Sequence, residues 1–179
     1  QKSDKTAPVA LKLANLLRFV LYETRKPEIP IELEIKILRD YIALEQLRFD
    51  ADRLRVDVQI EMDNPQQPIT PLLLLPLVEN AFKHGASEHR SEAWVRLDLN
   101  LKNGKLALLL ANSRDPNQAP NPAGIGLENV RRQLELIYPD QHKLEIRDAG
   151  MAFEVRLDID FQALPSNHQI AKSPNQQPA

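Results

Sequence analysis

The sequence contains no cysteine. Disulfides, thiolate metal sites and cysteine nucleophiles are therefore excluded, and a reducing compartment is compatible with the chain. No apolar run approaches the ~18 residues that cross a bilayer, so no membrane contact is expected within these residues. No signal peptide opens the chain, since Gln1 to Pro8 is polar. No charge of one sign dominates: 23 basic residues face 25 acidic ones. The net charge of -2 gives no electrostatic reason to expect nucleic acid or an anionic surface as partner. There is no internal repeat. There is also no initiator methionine, and the expectation is a segment of a longer protein.

What is present is enough apolar material, 42% of 179 residues, for one ordinary domain with appendages. Leu13, Leu16, Leu17, Val20 and Leu21 recur at helical spacing. Lys26-Pro27 interrupts them. A second helix is expected from Pro30, with Glu32 and Glu34 favourable near its own positive end. Ile35, Leu38, Ile42 and Phe49 form its stripe, wide enough to face both a partner helix and a domain. Two such helices joined by a short loop predict an antiparallel hairpin over residues 1–50 that buries its seam by dimerising.

The period then changes to two. Leu54, Val56, Val58 and Ile60 alternate with polar residues, as do Val95, Leu97, Leu99 and Leu101, and Phe153, Val155, Leu157 and Ile159. Each run predicts a strand with one buried and one wet face. Asn103-Gly104 predicts a hairpin turn into Leu106 to Ala111, apolar on both faces and therefore central. Leu144 to Arg147 predicts a further short strand that turns at Ala149-Gly150. Helices are expected over about Thr70 to His84 and Gly126 to Tyr138. The predicted class is α+β: a two-layer α/β sandwich over residues 51–161, with a mixed sheet and helices on one face, preceded by the helical hairpin. Residues 162–179, rich in Pro, Asn, Gln and Ser, predict a disordered tail.

Two constellations carry candidate chemistry. Residues 76–85 read PLVENAFKHG. On a helix, Leu77, Val78, Ala81 and Phe82 share one sector, and Glu79, Asn80 and Lys83 share a sector about 100° wide on the other side. A carboxylate, an amide oxygen and an ammonium projecting together suit a magnesium–polyphosphate complex. An ordinary solvated helix face with an i,i+4 ion pair accounts for the same pattern. His84-Gly85 likewise suits a plain helix end. The second constellation begins where the apolar strand ends. Asn112 to Ala123 form a loop with three prolines, long enough to suggest a functional lid or disorder. It runs into Gly124-Ile125-Gly126 and a helix bearing Leu127, Val130, Leu134 and Ile137 on its buried stripe. Glycines at a helix N-terminus let backbone N–H groups approach phosphate, and Arg131 and Arg132 add charge one turn in. A loop-to-helix turn needing free backbone angles explains the glycines equally well.

Taken together, PLVENAFKHG, a strand hairpin, a lid and GIGLENVRRQLELIYP resemble the N-box and second glycine box of LytS-type sensor histidine kinases. These belong to the wider GHKL (Bergerat) ATPase family that includes DNA gyrase, Hsp90 and MutL. The upstream LRFVLYE and IPIELEIKILRDYIALEQLRF are similar to the linker and second dimerisation helix of that kinase group. The resemblance covers residues 10–160 in order and spacing. It implies ATP and Mg2+ as cofactors, with Asn80 as the magnesium ligand and Glu79 as the catalytic carboxylate. It implies phosphate contacts at Lys83 and His84, and a lid and phosphate-facing backbone at Gly124, Gly126 and Leu127, with Arg131 beside them. The adenine contact falls on Asn112. There the strand end reads Asn112-Ser113-Arg114 in place of the wider family's DxGxG, so an amide oxygen replaces a charged acceptor.

The resemblance further implies a γ-phosphoryl transfer to a histidine, relay to a response regulator of LytTR type, and a homodimer through the N-terminal helices. It implies the cytoplasmic part of an inner-membrane sensor. The acceptor motif of this group, a His-Phe pair in a PHFLFN-like setting, is absent: His84, His89, His142 and His168 all lack it. Two other readings stand beside this one. A degenerate domain could serve dimerisation and signalling without catalysis, and an ATP-driven clamp would need a large additional domain that is not in these residues.

Overall fold

The computed structural model describes residues 3–49, 53–85, 93–114 and 125–163. Helix α1 (Ser3–Tyr22) is followed by a 3-10 turn at Glu23–Arg25 and a two-residue strand β1 (Ile29–Pro30). Helix α2 (Ile31–Gln46) comes next. Lys12 pairs with Asp40 at 2.9 Å and Asn15 donates to the same carboxylate at 3.3 Å, so α1 runs back along α2 as the expected hairpin. Its buried residue toward α2 is Phe19.

The sheet contains β2 (Leu54–Met62), β4 (Ala93–Lys102), β5 (Lys105–Ser113), β6 (His142–Asp148) and β7 (Ala152–Asp160), in the order β2-β4-β5-β7-β6. The β2–β4 pair is parallel and the other three are antiparallel, so the sheet is mixed as expected. Strand β5 is central. Its inward side chains Leu106, Leu108 and Leu110 meet Leu101, Leu99 and Leu97 on one side, and Ile159, Leu157 and Val155 on the other. The outward Leu109 is only half-buried and Ala107 is exposed, so the second apolar face of β5 is not covered by a helix. Asn103 and Gly104 form the β4–β5 turn with φ of 50° and 67°, the left-handed region the turn demands.

Helices α3 (Leu75–Gly85) and α4 (Ile125–Ile137) cover the inner face of the sheet. Leu77, Val78, Ala81 and Phe82 of α3 are each at most 1% exposed, as are Leu127, Val130 and Leu134 of α4. The 3.6-residue apolar period therefore points both helices into one core.

Several details depart from expectation. Ile137, expected on the buried stripe of α4, is exposed, and Asn112 and Ser113, expected to open the loop, are paired residues of β5. Helix α3 starts at Leu75 rather than near Thr70, because 70–74 are tied into a turn: the Thr70 N–H donates to the Tyr138 hydroxyl at 3.0 Å, and Leu72 has a φ of 58°. A small antiparallel pair, β1 with β3 (Pro68–Ile69), links this segment to the start of α2. His142, which the sequence reads as an exposed loop position, opens β6 with its Nδ1 2.7 Å from the Tyr138 carbonyl. Gln162 and Ala163 belong to a 3-10 turn (Phe161–Ala163) that seats Phe161 edge-on against Tyr138 at 5.8 Å. The rest of the predicted tail lies outside the described residues, as do His89, His168 and most of the predicted lid.

Candidate functional site

The sequence-predicted site residues fall on the polar face of α3, at the end of β5 and at the start of α4. On α3, Glu79 and Lys83 are exposed, and Asn80 and His84 are half-buried. The buried sector described above fixes the rotation that turns these four outward. The structure divides them further. Glu79 and Lys83 line a cleft of about 310 Å³ whose other wall is Tyr41, Glu45, Arg48 and Phe49 of α2 and the residues just after it. Asn80 is not part of that lining. Consecutive helical residues lie about 100° apart, so Asn80 is rotated away from α2, toward the α4 side.

At the end of β5, Asn112 faces the helix layer and is 1% exposed. Its side-chain N–H donates to the Ser113 carbonyl at 2.9 Å, which orients the amide. Its neighbours serve the sheet. The Ser113 Oγ accepts the Trp94 N–H at 3.0 Å, and Arg114 pairs with Asp148. Asn112 is thus the polar residue of this strand end that faces the helix layer.

On α4, Gly126 is exposed, and a Cβ built on it would meet nothing within 4 Å. Its φ is not in the left-handed region. Neither packing nor backbone angle within the described residues therefore requires glycine there. Leu127 is 1% exposed, with its side chain in the core. Arg131 and Arg132 are exposed. Gly124 lies outside the described residues.

Among the described residues, no group of three His, Asp or Glu could hold a metal ion. A magnesium ion here would rest mainly on phosphate oxygens and water, with Asn80 adding one amide oxygen, which suits a small hard cation that dehydrates reluctantly.

Two functional-grade residues were not legible as such. Glu34, assigned by sequence to the positive end of its own helix, is 0% exposed and turned away from it. Its Oε2 accepts from the Leu72 N–H at 3.0 Å, and its Oε1 accepts from Leu74 at 3.0 Å and Leu75 at 3.3 Å. Burial raises its pKa, and these backbone N–H groups pull it part of the way back. Tyr41, read only as flanking a stripe, packs edge-on against Phe82 at 6.0 Å. Burial raises its pKa, as do the charges of Glu45 and Glu79. The only signal in the sequence was a Glu in a first turn with a better use elsewhere.

Comparison with known proteins bears on the family and the fold. A histidine kinase family model matches residues 1–54. Sensor protein kinase HptS of Staphylococcus aureus (strain USA300) is 28% identical over 125 residues, 70% of this chain and 21% of that protein. The chain thus spans about a fifth of the length of the curated relatives it matches. In fold it is similar to the histidine kinase domain of the Erythrobacter litoralis EL346 blue-light activated histidine kinase, with a TM-score of 0.55 at 18% identity over 87% of this chain and 74% of that one. Acinetobacter baumannii histidine kinase AdeS gives 0.52 at 10% identity over 85% and 76%. Full-length ShkA in complex with AMPPNP gives 0.55 at 17% identity over 86% and 35%. Among the described residues, no helix is long and apolar enough to cross a membrane. The chain is similar in sequence to a sensor histidine kinase, and its described residues carry the fold of a histidine kinase domain.

Proposed function

We propose that these residues are the ATP-binding catalytic part of a two-component sensor histidine kinase of the LytS type, which moves the γ-phosphoryl of ATP to a histidine supplied from outside this sequence. The observation that carries the reading is the outward polar face of α3, with Glu79 and Lys83 exposed, in a chain homologous to sensor kinases. Asn112 facing the helix layer and the exposed Gly126 in the first turn of α4 support it. The nucleotide bound by ShkA, a protein of similar fold, supports the choice of ligand.

In this reading Asn112 accepts from the adenine amino group. Asn80 adds its amide oxygen to a magnesium ion that neutralises phosphate charge when bound. Lys83, His84 and Arg131 contact phosphate oxygens, and the backbone N–H groups at Gly126 and Leu127, with Gly124, face the phosphates from the lid side. Glu79 orients the attacking imidazole through its remaining N–H. Phosphoryl transfer needs mostly positioning and charge, which this set provides.

The exposed apolar stripe of α1, with Leu13, Leu17, Val20 and Leu21 each at least 45% exposed, supports a homodimer through this helix. A response regulator of LytTR type is the proposed phosphoryl recipient, and the parent protein is proposed to be an inner-membrane sensor with these residues in the cytoplasm.

The test is titration of a fluorescent ATP analogue with Mg2+ into wild type and Asn80→Ala, followed by radiolabelling with a His-Phe acceptor segment added in trans. Weakened binding in the variant and acid-labile label on the added segment are expected. A second reading, a degenerate signalling domain, is favoured by one observation: Asn112 replaces a charged acceptor and uses its N–H within the strand. Absence of nucleotide binding by the wild type would select it.

A further inference from the structure

We infer that α2 is a splint that aims the polar face of α3, with Glu34 as a positioning residue for that face. The inference rests on the reading of Glu79, Asn80 and Lys83 as the magnesium–nucleotide face.

Helix α3 has no cap of its own. The residues before it, Leu72, Leu73 and Leu74, carry no side-chain acceptor, and Pro76 has no N–H. The carboxyl of Glu34 supplies the acceptor from another helix, taking the N–H groups of Leu72, Leu74 and Leu75. Leu72 stands at a φ of 58°, a conformation that costs a residue with a Cβ about 1–3 kcal/mol and persists only when its surroundings enforce it. The bond from its N–H to Glu34 is that enforcement.

A second contact lies further along. Tyr41 meets Phe82 edge-on at 6.0 Å. Tyr41 is seven residues beyond Glu34, and Phe82 is seven residues beyond Leu75. The two helices therefore run parallel and stay in step over about 10 Å. The buried apolar sector sets the rotation of α3. Two contacts along one side fix where the helix begins and hold that rotation against α2. The cleft wall of Glu45 and Arg48, bonded to each other at 2.8 and 2.9 Å, continues the same support beside Glu79 and Lys83. A displacement of α2 by α1 thus reaches the nucleotide face directly.

The experiment uses the whole chain with Glu34→Gln, Tyr41→Leu and the double variant Glu34→Gln/Leu72→Gly, with a fluorescent ATP analogue as probe. The first readout is the ratio of affinity with Mg2+ to affinity without it. Glu34→Gln places an amide N–H against that of Leu72, and the ratio should fall about tenfold, as when support behind a metal ligand is removed. Glycine adopts the left-handed angle without strain. The double variant should therefore recover most of the ratio while remaining less stable than wild type. A merely structural Glu34 predicts the reverse, with affinity following stability. Tyr41→Leu should lower the ratio by a smaller factor, and it keeps the test open if Glu34→Gln does not fold. An unchanged ratio in a folded Glu34→Gln or in Tyr41→Leu overturns the splint, as does a double variant that fails to recover. If wild type binds no nucleotide, the reading of the site fails, and the Asn80 side-chain amide resonance then decides the splint. It should move in the single variants and return in the double one, and a resonance that stays put overturns the splint.

Discussion

The N-termini of α3 and α4 lie in the same layer over the same sheet, and they are finished in opposite ways. At α3 the free N–H groups meet a fully buried carboxyl from α2. At α4 the second residue is an exposed glycine with nothing within 4 Å of where a Cβ would sit. Both ends carry the partial positive charge that attracts anions. Among the described residues, the first is filled from within and the second has an exposed glycine in its first turn. A helix end that is sealed serves the architecture; one that is not can serve an external phosphate.

The largest effect should come from breaking the sealed end. Glu34→Ala leaves buried N–H groups without acceptors, at a cost on the order of 3 kcal/mol. The urea midpoint should fall with the slope unchanged, and a loss below ~0.5 kcal/mol, the range of ordinary surface changes, would show that water replaces the carboxyl. Next is Tyr138→Phe, on the same segment. The Tyr138 hydroxyl is 3.0 Å from the Thr70 nitrogen and 3.2 Å from its Oγ1. Its removal should cost about 1–2 kcal/mol, read from thermal unfolding, with no change in the Mg2+-dependent ratio of nucleotide affinities.

The open end responds differently. Asn112→Asp restores a charged acceptor, and calorimetry should show nucleotide binding tighter by about 1 kcal/mol. Unchanged or weaker binding would mean that another residue reads the base. Smallest in stability is Gly126→Ala, expected to raise the unfolding free energy by about 0.5 kcal/mol because the methyl meets open space in a helix. The same change should weaken nucleotide binding. A destabilised variant with normal binding would reverse the contrast between the two helix ends.

Much of this was legible in periodicity. The alternation of Val95 to Leu101 predicted a one-faced strand, and Asn103-Gly104 predicted its turn. Of the stripe Leu127, Val130, Leu134 and Ile137, the first three predicted which side of α4 is buried, while Ile137 at the helix end is exposed. Leu77, Val78, Ala81 and Phe82 predicted which side of α3 is outward, and so where Glu79, Asn80 and Lys83 stand. Local patterns decide these because side-chain direction follows from backbone period alone.

Glu34 was not legible in this way, nor was the late start of α3. A Glu in the first turn of a helix looks the same whether it serves its own dipole or a backbone that arrives 38 residues later at Leu72. The acceptor and its donors come from separate parts of the chain, and no spacing rule connects them. The residue types and their periods were thus enough to specify the layers, the core and the outward faces. Only the packing of α2 against the segment before α3 decided which helix end was sealed, because satisfying buried donors is a property of the assembled molecule rather than of any one stretch of it.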